Sequence, residues 1–140
     1  MQASQAVGVS KKSLWAGRII SALVVLFMVF DGVVKVLRLT PAIEGTLSLG
    51  YPVSVVFPLG MIVLVCILLY LIPQSSVLGA ILLTAYLGGA VATHVRVGNP
   101  LFSHVLFPSY IGVLAWLGLF LRDERLRALI PWRRSATEIT

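Results

Sequence analysis

Residues 92–108 read ATHVRVGNPLFSHVLFP. This stretch joins two apolar runs. It holds both histidines of the chain, His94 and His104, with Arg96 and the helix-breaking pair Asn99-Pro100 between them. If the flanking runs cross a bilayer, these polar groups gather at one water boundary. Ionisable groups at membrane depth are costly, so they need partners or a role.

The composition supports the bilayer. Of 140 residues, 59% are hydrophobic and only 11% are charged. A soluble domain carries about 25% charged residues. The length suits one domain. The net charge of +6 does not point to nucleic acid, because of where the charge lies. Eight of the eleven basic residues fall in the terminal segments: Lys11, Lys12 and Arg18, then Arg122, Arg125, Arg127, Arg133 and Arg134. That distribution is a topology signal. The single cysteine, Cys66, excludes an intrachain disulfide and dithiol chemistry. It reads as a small packing residue inside a helix.

The expected fold is all-α: an integral membrane four-helix bundle with a short external interfacial helix between the first and second spans. Residues 1–12 are expected to be a disordered cytoplasmic segment. Residues 13–122 form the transmembrane domain, with spans at about 14–37, 53–72, 77–95 and 103–121. Residues 123–140 form a basic cytoplasmic tail that resembles an amphipathic segment on the membrane surface. The first apolar run follows basic residues as a signal peptide would. No small-x-small site follows it, so it reads as a retained helix.

On that helix, Gly17, Ser21, Val24, Met28, Asp31, Lys35 and Arg38 alternate at spacings of four and three, which puts them on one face. Asp31 precedes Lys35 by four residues, the favourable order for a helical ion pair. Thr40-Pro41 reads as an N-cap and a first-turn proline opening a short helix that Gly50 ends. Tyr70 and Pro73 mark the far boundary of the second span. The short 74–76 turn forces an antiparallel hairpin. In the third span, Ala80, Thr84, Gly88 and Ala92 form one small-residue ridge, and Ala85, Gly89 and Thr93 another. Both suit close helix packing. A fourth span starting at Pro108 would hold only about 14 residues, or about 21 Å, against a core of about 30 Å. His104 is therefore expected on the helix.

Four spans put both ends of the chain on one side. The positive-inside rule makes that side cytoplasmic, and a bacterial inner membrane is the expected location. Asp31, Lys35, Arg38, Glu44, His94, Arg96, Asn99 and His104 then share the external end. An Asp31–Arg96 bridge is expected there.

The stretch GGAVATHVRVGNPLFSHVLFPSY, residues 88–110, with the polar end of the first helix at Asp31, Gly32 and Lys35, resembles the DoxX-like family of small four-helix membrane proteins. The resemblance runs over about residues 15–131. It implies membrane partners of redox enzymes, quinone-linked sulfur-compound oxidation or oxidative-stress complexes. More distant bundles of this kind bind sterol-like ligands.

The most economical reading is a non-catalytic membrane subunit or scaffold of a complex, redox-related by the resemblance. Its partners are the lipid bilayer and a protein of that complex. It expects a polar cluster closed on itself. The alternative is a lipophilic ligand, a quinone or another lipid, held in the outer half of the bundle beside Asp31 and His94. Asp31, Lys35, His94, Arg96 and His104 are then its anchors, and Tyr86, Tyr110 or Trp116 its lining. That reading expects an open cavity beside Asp31. Quinone is the one cofactor this reading implies. No nucleophile motif, phosphate loop or dinucleotide fingerprint occurs. Two histidines ten residues apart lack a tight metal-ligand spacing. The residues thus lean against an enzyme without closing the question.

Overall fold

The computed structural model describes residues 9–130. The expectations for residues 1–8 and 131–140 lie outside that range. The described residues form helices and no strand. The elements are α1 (Lys11–Val36), α2 (Thr40–Ser48), a 3-10 turn (Val53–Val55) leading into α3 (Val56–Leu71), α4 (Ser76–Arg96), a π-helical turn (Leu101–Val105), α5 (Phe107–Arg122) and α6 (Glu124–Leu129). Four stretches are long and apolar enough to cross a membrane: Lys11–Val36, Val53–Leu71, Ser76–Arg96 and Leu101–Arg122.

The spanning helices form a four-helix bundle. Helix α1 packs against α3 and α5, and α4 packs against the same two. One end carries the 72–75 turn with residues 9–13 and 122–130. The other carries the remaining connections and Asp31. These are the hairpin end and the Asp31 end below.

Three helices stop in the same way at the Asp31 end. Leu39 N–H donates to Val34 O, Tyr51 N–H to Thr46 O and Asn99 N–H to His94 O. Each is the six-to-one bond that closes a helix terminus over a left-handed residue. Gly50 (φ 82°) and Gly98 (φ 71°) fill that position on α2 and α4. On α1 it is Arg38 (φ 51°), a side chain in a conformation that favours glycine. Arg38 therefore leaves the face it was expected to share with Asp31 and Lys35. Its guanidinium instead lies 5.7 Å from the Phe57 ring centroid. The expected cap of α2 also moves by one residue. Leu39 is the N-cap, and Thr40 and Pro41 both lie in the first turn.

Glycines let the helices touch. A Cβ on Gly32 would come within 2.6 Å of Leu64, and one on Gly60 within 2.9 Å of the Gly32 carbonyl oxygen. This is the α1–α3 contact at the Asp31 end. At the hairpin end a Cβ on Gly17 would lie 2.8 Å from the Gly118 carbonyl oxygen, joining α1 to α5. A Cβ on Gly79 would strike the backbone of Leu69 and Tyr70. Small residues are the usual device for such contacts in lipid, where helices gain no hydrophobic drive from one another.

The buried line of α1 is Gly17, Ser21, Val24, Met28 and Gly32. A four-three spacing averages 3.5 residues per turn against 3.6 for the helix, so it drifts by about 20° per heptad. By the last turns Gly32 has replaced Asp31 at the centre. Asp31 and Lys35 sit half-buried at its edge.

The fourth span is broken. Pro108 lies in the first turn of α5 and cannot donate a backbone hydrogen bond. Before it, Val105 N–H donates to Pro100 O and Leu106 N–H to Leu101 O. His104 therefore lies within the fourth span, Leu101–Arg122, as expected, on the π-helical turn that opens it.

Candidate functional site

A polar chain closes the hairpin end. Tyr70 lies in the last turn of α3, at the boundary the sequence marked, and is fully buried there. Its hydroxyl donates to the Ala115 carbonyl oxygen at 2.7 Å. With that hydrogen spent, the 3.0 Å contact with Ser21 Oγ requires Ser21 to donate. Ser21 Oγ in turn accepts from Arg122 Nε at 3.1 Å. The guanidinium lies 5.2 Å from the Tyr70 ring centroid. The bonds run in one direction, from α5 through α1 to α3 and back to α5. No buried side-chain polar atom among the described residues lacks a partner.

Below it, Arg127 of α6 folds back. It donates to the Phe120 and Leu121 carbonyl oxygens and to Ser13 Oγ. Leu126 is buried. This short helix is tied to the bundle by its own residues as well as bearing basic charge.

The Asp31 end differs. A cavity of about 890 Å³ lies between the helices, within the range of small-molecule sites. Its walls are mostly apolar, among them Met28, Leu59, Leu87 and Ile111. Asp31, Lys35, Tyr86 and His94 also line it. Lys35 Nζ donates to Asp31 Oδ2 at 2.5 Å and to Tyr86 Oη at 3.1 Å. Their side chains are 17% and 31% exposed for Lys35 and Asp31. Lys35–Tyr86 is a link across the bundle from α1 to α4. The Tyr86 hydroxyl accepts from Lys35, which leaves its own hydrogen to donate. Lys35 keeps a third N–H.

The expected Asp31–Arg96 bridge does not form. Asp31–Lys35 is the only ion pair among the described residues. Arg96 donates instead to the Leu49 carbonyl oxygen at 2.5 Å and lies over the Tyr51 ring at 5.9 Å. The reason is geometric: Lys35 reaches Asp31 within one helix, while Arg96 sits past the cavity on the last residue of α4. The Tyr51 hydroxyl and Thr93 Oγ1 are 2.9 Å apart. Together these contacts fasten the α2–α3 connection to α4.

Arg96 and His104 are not part of the cavity wall. The imidazoles of His94 and His104 meet edge to face with centroids 5.9 Å apart. Each is held by a neighbour: Asn99 Nδ2 lies 2.7 Å from His94 Nδ1, and Ser103 Oγ lies 2.8 Å from His104 Nδ1. No group of three or more His, Cys, Asp or Glu among the described residues could hold a metal ion.

The small-residue ridges of α4 do something other than the close packing expected of them. Ala80 is buried, but Thr84, Gly88 and Ala92 are exposed. A Cβ on Gly88 or Gly89 would meet nothing within 4 Å. Ala85, Gly89, Ala90 and Thr93 line the cavity. Their small size leaves the cavity open. Cys66 and Thr46 also line it, and the sequence carried no sign of that. Tyr110 and Trp116 do not.

A family model described as the DoxX-like family matches residues 19–118. No curated protein and no solved structure gives a significant match.

Proposed function

The chain belongs to the DoxX-like family, and on that premise we propose that this multi-pass membrane protein binds a neutral, carbonyl-bearing lipophilic molecule in the cavity beside Asp31. The supporting observation is the cavity itself: about 890 Å³, mostly apolar, with a few convergent polar groups at one end. Lys35 and Tyr86 are the anchors. Each retains a hydrogen to donate, and a carbonyl oxygen accepts two. Asp31 neutralises Lys35 from 2.5 Å, so a charged head would gain little over a neutral one. His94 lies on the same wall with its ring held by Asn99.

A quinone fits this donor set. Bound, it would supply two-electron redox chemistry. The protein's part is to desolvate the ring, hold one carbonyl at Lys35 and Tyr86, and keep its own ion pair intact.

A second reading, a scaffold subunit of a membrane complex, draws support from one feature. The Asp31–Lys35 pair is satisfied within its own helix. A scaffold, however, has no need of a cavity of this size beside that pair.

The test is saturable binding of a decyl-substituted benzoquinone by the protein in phosphatidylcholine nanodiscs. The Tyr86→Phe variant removes one donor. One hydrogen bond is worth about 0.5–1.5 kcal/mol, so affinity should fall roughly 2- to 10-fold. Binding that does not saturate, or that Tyr86→Phe leaves unchanged, rejects this site and turns the search to a protein partner.

A further inference from the structure

The cavity wall is not equally closed on all sides. Nine lining residues are exposed: Met61, Ile62 and Val65 of α3, Leu82, Ala85 and Gly89 of α4, and Phe27, Tyr51 and Phe107. The first six lie on α3 and α4, the two helices of one seam. The opposite seam, between α1 and α5, is occupied by Phe27 and Phe107, whose rings meet edge to face at 5.4 Å. At the Asp31 end, Thr46 and Leu49 of the α2 segment form the wall. That segment is fastened by the Arg96 to Leu49 hydrogen bond and the Tyr51–Thr93 contact. Along the middle of the α3–α4 seam, no side-chain hydrogen bond among the described residues joins the two helices.

From this we infer that the cavity is loaded sideways from the bilayer through the α3–α4 seam, by an amphiphile with a single apolar tail. The head passes inward to Lys35 and Tyr86, and the tail stays in the seam among Ile62, Val65 and Leu82. This rests on the binding reading above and adds the route and the shape of the ligand. The physical reasons are two. An apolar opening facing lipid admits a lipid-dissolved molecule without exposing its tail to water. The Asp31 end would have to break the Arg96–Leu49 and Tyr51–Thr93 hydrogen bonds before it opened. Gly89 lines the cavity, and an added Cβ there meets nothing within 4 Å, so the position leaves room at the seam.

Gly88 and Gly89 make a matched pair. Neither has a neighbour within 4 Å of an added Cβ, and only Gly89 lines the cavity. The probe is a decyl-benzoquinone with a diazirine at the end of its decyl chain, dissolved in phosphatidylcholine nanodiscs. After illumination, crosslinked residues are mapped by peptide mass spectrometry, with and without excess unlabelled decyl-benzoquinone. Competed crosslinks are expected at Ile62, Val65 and Leu82. They should be lost in Gly89→Leu and kept in Gly88→Leu. Ala85→Leu, at another exposed seam position, serves as a second plug if Gly89→Leu does not fold. Competed crosslinks at Thr46, Leu49 or Tyr51 would overturn the route while leaving the binding reading in place. So would seam crosslinks that survive both plugs. Saturable binding without any competed crosslink at the seam also overturns the route. No saturable binding by the wild-type protein overturns the binding reading itself.

Discussion

Replacing Tyr70 by phenylalanine tests the hairpin-end chain most directly. The change removes only an oxygen and its hydrogen from a fully buried ring. Two bonds go with it: the one Tyr70 donates to Ala115 O at 2.7 Å and the one it accepts from Ser21 at 3.0 Å. Ser21→Ala also removes two, the shared bond and the one from Arg122 Nε. Side-chain hydrogen bonds between membrane helices average about 0.6 kcal/mol. On that scale each single change costs about 1.2 kcal/mol, and the double change about 1.8 rather than 2.4. The coupling between the two sites is therefore about 0.6 kcal/mol, with a ceiling near 1.7. The assay is reversible unfolding in mixed micelles with increasing sodium dodecyl sulfate, followed by far-ultraviolet circular dichroism on all four proteins. Additive single changes would refute the shared bond. So would a Tyr70→Phe protein as stable as wild type, since it would mean that Tyr70 does not bridge α1 and α5.

Gly60→Ala should destabilise the bundle by about 1–3 kcal/mol, because its Cβ overlaps Gly32 and Lys35 of α1. Gly88→Ala, with open space around it, should be neutral or stabilising by up to about 1 kcal/mol; the same unfolding assay compares them. Arg127→Ala removes three hydrogen bonds to α5 and α1, so chymotrypsin should cut near Leu126 and Leu129 faster than in wild type. In a Cys66→Ala background, cysteines placed at Ser10 and at Gly45 of α2 should react with a membrane-impermeant maleimide from opposite sides. Gly45→Cys should label on intact spheroplasts and Ser10→Cys only after lysis. The reverse pattern would invert the orientation expected from the basic termini.

Much of the fold was legible in the sequence, because lipid imposes a simple rule on it. Long apolar runs must be helices, as no other open structure satisfies its backbone there. Gly50 and Gly98 announced helix ends by their chemistry. Arg38, in the same conformation as those glycines, did not, since nothing in an arginine marks a left-handed backbone. The α4 ridges show a deeper ambiguity. A small residue allows close packing or leaves a void, and only the partner helix decides which. At Gly60 the partner comes close; at Gly89 it does not. Of the five anchors expected, Asp31, Lys35 and His94 line one cavity, together with Tyr86 of the expected lining. Arg96 and His104 fall outside it because helix ends, not spacing, set where they point. Tyr70 was hidden for a related reason. A tyrosine near a proline-marked turn looks interfacial, and its buried partners come from residues 49 and 45 positions away.

The contact between α1 and α5 has a consequence for how the protein is made. Gly17 and Ser21 face Gly118 and Arg122, about a hundred residues later in the chain. While the ribosome is still producing α4, α1 has its α5 partner missing. Its small, hydroxyl-bearing face must lie against lipid or a chaperone until α5 arrives. Of the four described spans, the one translated before the others is thus completed only when the fourth arrives. A nascent chain stalled before residue 118 would display that face to the membrane's quality-control proteases.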